Sequence, residues 1–80
     1  MENPIEILER RRTQIKLERD HYILRYYEIK DLLERLRAIQ EKPKADLLDN
    51  YLLRFIRTKC SELTCELLEI DQKILQLNLN

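Results

Sequence analysis

Leu53, Ile56, Cys60, Leu63, Leu67, Ile70, Ile74 and Leu77 follow one another at alternating spacings of three and four residues, without a miss. No other feature constrains the chain as tightly. One stripe of an α-helix satisfies that spacing, at ~3.6 residues per turn, whereas the faces of a strand repeat every two residues. A stripe this long needs a neighbour along its whole length, because a helix left alone would keep it wet. The chain also contains no glycine. Without glycine, tight strand hairpins, bulges and phosphate-cradling loops are hard to build. The predicted fold class is therefore all-α.

The first half of the chain supplies the neighbour. Asn3-Pro4-Ile5-Glu6 reads as a helix start, with Asn3 as cap, Pro4 at the first helical position and Glu6 in the first turn. From there Leu8, Ile15, Tyr22, Ile29 and Leu36 recur every seven residues. They form one unbroken seam position of a heptad pattern. The companion position reads Ile5, Arg12, Arg19, Tyr26 and Leu33, with two arginines among apolar residues. The pattern stops at Glu41-Lys42-Pro43-Lys44-Ala45-Asp46. Proline disfavours a helical residue before it, so the first helix is predicted over about 4–41, the turn over about 42–45 and the second helix over about 46–78. A short connection between long helices makes them antiparallel neighbours. The expectation is a single domain, residues 1–80, folded as a coiled-coil-like hairpin of two long antiparallel helices. Leu8, Ile15, Tyr22, Ile29 and Leu36 would form its seam with Ile56, Cys60, Leu63, Leu67 and Ile70.

Charge points to the same fold. Between residues 10 and 19 stand Arg10, Arg11, Arg12, Lys16 and Arg19 against Glu18 alone. Between residues 60 and 72 stand Glu62, Glu66, Glu69 and Asp71 with no basic residue. A chain reversal at Pro43–Lys44 sets these blocks side by side, with Ile15 near Gln72 and Leu33 near Arg54. A parallel pairing of two copies would stack like on like. Arg12, Lys16 and Arg19 are expected to face Glu66, Glu69 and Asp71 and fix the register. Arg10 and Arg11 lie farther round the helix.

Apolar residues remain after the seam is filled. Leu48, Leu52 and Phe55 are spaced four and three, and Leu17, Leu24 and Tyr27 are spaced seven and three. These second stripes predict a partner surface and closure into a four-helix-type bundle. The partner would be a second copy, as a homodimer, or another subunit of a hetero-complex.

The functional expectation is a non-enzymatic protein-interaction or oligomerisation module. Fifteen basic residues balance fifteen acidic ones, which argues against a general polyanion binder. An alternative is a small nucleic-acid-binding protein using the Arg10–Arg19 block, but Glu6, Glu9, Glu18 and Asp20 are interleaved with it. Another is a chaperone or adaptor that masks a partner helix. Tyr22 and Tyr26 fall on the seam, where rings with a polar tip suit packing better than base stacking. His21 sits at a peripheral position without further ligands at metal-binding spacing. The many carboxylates scatter on solvated faces. No catalytic residue, metal, cofactor or small-molecule substrate is expected. Cys60 and Cys65 point about 140° apart on one helix and cannot bridge. Unpaired thiols and the absence of an apolar leader lead to a cytoplasmic or nuclear expectation. No stretch approaches the ~18 apolar residues of a membrane span.

Overall fold

A computed structural model describes Asn3 to Leu79 as two helical arms joined by a short turn. Helix α1 spans Pro4–Ala38. The second arm runs without a break through α2 (Lys42–Leu47), a π-helical segment (Leu48–Leu53) and α3 (Arg54–Leu79). The arms are antiparallel along most of their length, and the molecule measures 59 × 15 × 15 Å. Its radius of gyration is 17.9 Å, against about 12 Å for a compact domain of this length.

Helix α1 begins as its first residues dictate. The Asn3 side chain accepts a hydrogen bond from the Ile5 amide at 3.0 Å, and Pro4 occupies a position whose missing N–H is not needed. Glu6 in the first turn, and Arg35 and Arg37 in the last, match the helix dipole.

The turn differs from expectation. Helix α1 stops at Ala38, and the reversal occupies residues 39–41 rather than 42–45. Lys42, expected to end the first helix, instead opens α2, and Pro43 stands in its first turn, a start that its fixed φ allows. The cause is a C-cap that the residue types do not advertise. Gln40 takes φ 63°. Its amide donates to the Arg37 carbonyl at 3.1 Å, and the Glu41 amide donates to the Leu36 carbonyl at 2.8 Å. This pair of bonds is the Schellman arrangement, normally built on glycine at the left-handed position. The tip therefore lies a few residues upstream, and the register moves with it. Ile15 packs with Leu63, Leu67 and Ile70, upstream of the expected Gln72, while Leu33 packs with Leu53, next to the expected Arg54, and also with Ala45 upstream of it.

The π-helical segment solves a problem in the second arm. Extending the seam back from Leu53 by four and then three residues lands on Asp49 and Asp46. A π turn holds one extra residue and sets back the helix by about 100°. Leu48 and Ala45 take those places instead. Ala45 is 0% exposed and Leu48 packs half-buried against the same cluster. Asp46 stays exposed, and Asp49 reaches Arg37 at 3.5 Å. Leu48 thus belongs to the hairpin interior, not to the outer stripe in which its four-residue spacing from Leu52 placed it.

The core forms two clusters. Toward the termini Ile15, Leu63, Leu67 and Ile70 are buried, with Leu8, Tyr22 and Ile74 packed against them. Toward the turn Leu33, Ala45 and Leu53 are buried, flanked by Tyr26, Ile29, Leu36 and Leu48. Ile56 is also buried, and Cys60 is half-buried.

Candidate interaction surface

The charged strip comes first because it holds the arms in register. Arg12 Nε lies 2.9 Å from Asp71 Oδ1, and Arg11 reaches Glu66 at 3.7 Å. Arg11, placed farther round the helix by the heptad pattern, is thus a bridging residue. Arg19 is not. Its guanidinium pairs with its sequence neighbour Asp20 at 3.7 Å, while its Nε is buried without a hydrogen-bond partner. The side-chain stem fills a seam position that an apolar residue would otherwise take. Lys16 and Glu69 form no ion pair among the described residues. Lys16 borders a groove with Thr64, Leu68 and Asp71, and Glu69 lies with Glu62 and Glu66 on the open flank of α3. The bridging pairs are half exposed, so each contributes only ~0.2–1 kcal/mol and serves register more than stability.

Midway along the rod, one side carries an aromatic groove lined by Ile23, Tyr26, Tyr27, Arg57 and Cys60. Arg57 donates to the Tyr26 hydroxyl at 3.1 Å, and its guanidinium carbon lies 5.5 Å from the ring centroid. That hydrogen bond raises the Arg57 pKa above its ordinary value. Tyr26 and Tyr27 meet edge to face at 5.7 Å. Cys60 and Cys65 are both unbridged, and Cys65 is exposed.

A second groove is lined by His21, Tyr22, Arg25, Ile29, Leu52, Phe55 and Ile56. The residues expected to form one partner surface are therefore divided. Tyr27 lines the first groove, while Leu52 and Phe55 line the second. Leu17, Leu24, Tyr27, Leu52 and Phe55 are all exposed. Toward the turn, Leu32, Ile39, Leu47 and Tyr51 are also exposed. These four were legible only as surplus apolar residues. The usable signal was the four-residue spacing of Leu47, Tyr51 and Phe55, which makes a row on one helix.

Among the described residues no group of His, Cys, Asp and Glu could hold a metal ion, and no helix is long and apolar enough to cross a membrane. No known family model, curated protein or solved structure matches this chain. The surface offers open grooves, apolar patches and three ion pairs that join the arms among the described residues.

Proposed function

We propose that this hairpin is a non-enzymatic protein-interaction module that covers its exposed apolar residues with other helices. The observation that supports this reading is surface. The chain exposes 6537 Å², where a compact protein of 9.9 kDa exposes roughly 5,200 Å². The difference exceeds the ~800 Å² that one partner contributes to a standard interface. Fifteen large hydrophobic residues are exposed among those described, against eight buried apolar ones. Scattered exposure is normal, but about twice as many large apolar side chains exposed as buried is not. A nucleic-acid role for the Arg10–Arg19 block fits less well, because Arg11, Arg12 and Arg19 each face a carboxylate.

A photo-reactive residue placed at position 52 or at position 27 of the full chain, in its native cell, tests this reading. Covalent adducts to protein are expected from at least one of these positions and not from Glu34, a charged and exposed control. Absence of adducts at both apolar positions would overturn it.

A further inference from the structure

We infer that the turn-proximal half of the hairpin is a self-association surface, on which a second copy docks patch against patch. The inference rests on the interaction-module reading and names its partner. The patch has three rows. Leu47, Tyr51 and Phe55 stand four residues apart on the second arm. Leu52 lies beside them, five residues from Leu47, which is the repeat of a π turn. On the first arm, Leu32 in α1 and Ile39 at its C-cap follow by sevens from Arg25, which lines the same groove as Leu52 and Phe55.

Their exposures are 45% for Leu32, 68% for Ile39, 58% for Leu47, 72% for Tyr51, 41% for Leu52 and 52% for Phe55. At roughly 200 Å² per side chain of this size, the patch presents on the order of 700 Å² of accessible surface. That exceeds the ~300–600 Å² of the largest patch on a typical monomer and approaches what one partner brings to a standard interface.

Charge decides who covers it. Around this patch Arg25 pairs with Glu28 at 3.3 Å, Arg35 with Asp31 at 2.9 Å and Lys59 with Glu62 at 3.5 Å. Those pairs are matched within each helix, while Lys44, three residues before Leu47, has no ion pair among the described residues and adds one positive charge at that edge. A strongly charged partner gains little from so nearly balanced a rim, while a second copy meets it with the same small excess. The aromatic groove is different. Arg57 lines that groove and Lys30 lies three residues after Tyr27, and neither has an ion pair among the described residues. Two copies meeting there would bring like charges together. Self-association is therefore assigned to the turn-proximal patch and not to the Tyr27 face. A two-fold axis closes such a contact, because the same patch serves both partners.

Sedimentation equilibrium of the purified full chain is the test. At about 100 µM, above the micromolar range of modest interfaces, the expected mass is twice 9.9 kDa. Tyr51→Lys with Phe55→Lys should weaken association on the order of 100-fold with helicity retained, since buried aromatic anchors dominate such contacts. Leu24→Lys should leave the mass unchanged. Hydrogen exchange on the unmodified chain gives an independent readout. Raising the concentration should slow exchange in residues 32–39 and 47–55 and leave the segment around Leu24 unaffected. A wild-type monomer at that concentration, or protection confined to the Leu24 segment, would overturn the inference. Should the monomer still cross-link through position 52 to a different protein, the interaction-module reading survives and only the second copy is lost.

Discussion

Gln40 holds the reversal at φ 63°, a region where residues with a Cβ are disfavoured by about 1–2 kcal/mol relative to glycine. Glycine also has more freedom to lose from the unfolded chain, so the net gain is smaller. Gln40→Gly should stabilise the hairpin by about 0.5–1 kcal/mol. The urea midpoint should rise with an unchanged slope, and a fall would show that the left-handed cap is not what closes the turn. Ile15 is the opposite case. It is 1% exposed and central to the terminal cluster. Ile15→Ala should cost about 2–5 kcal/mol. With so few buried residues, that loss should appear as a large drop in thermal midpoint.

At the scale of the element, the π segment acts as a one-residue insertion. If that is its role, removing one residue should restore a regular α-helix and keep Ala45 and Leu48 on the seam. Deletion of Asn50 does this by count. Counting back from Leu53, four residues then reach Leu48 and three more reach Ala45. The deletion variant should keep its full helicity and its thermal midpoint within a few degrees. Deletion of Ser61, placed in regular α3, should instead rotate the Leu63–Ile74 stripe off the seam by about 100°. Circular dichroism melting of the two variants separates the cases. Equal damage from both deletions would sink the insertion account.

At the scale of the molecule, thin packing along a 59 Å rod leaves burial, not charge, as the source of stability. The ion pairs between arms are half exposed and are screened within about 10 Å at 0.1 M salt. Raising salt from 0.1 to 1 M should therefore change stability by less than about 1 kcal/mol. Arg12→Asp alone should weaken the hairpin modestly, and Asp71→Arg in the same chain should recover the loss. Failure of the second change to rescue the first would mean that the pair does not help align the arms.

The sequence alone determined that the chain is helical, that it folds back once and that the two arms run antiparallel. The unbroken stripe from Leu53 to Leu77 and the opposed charge blocks are periodic and redundant, so local spacing carries them. It also separated the apolar surplus from the seam, apart from Leu48 and from Leu77, the last residue of the stripe, which is exposed. The tertiary structure decided the rest. Where the chain turns depended on one backbone angle at Gln40, a residue with no special claim to it. Which residues enter the seam near the turn depended on choosing a π turn over an α turn. That choice hides Ala45 and Leu48 and leaves Asp46 outside, a preference visible only once α1 is in place. Spacing likewise could not tell that Tyr27 and Phe55 line different grooves. Helical periodicity fixes where a residue points on its own helix, while the face it shares with another helix exists only after the two have packed.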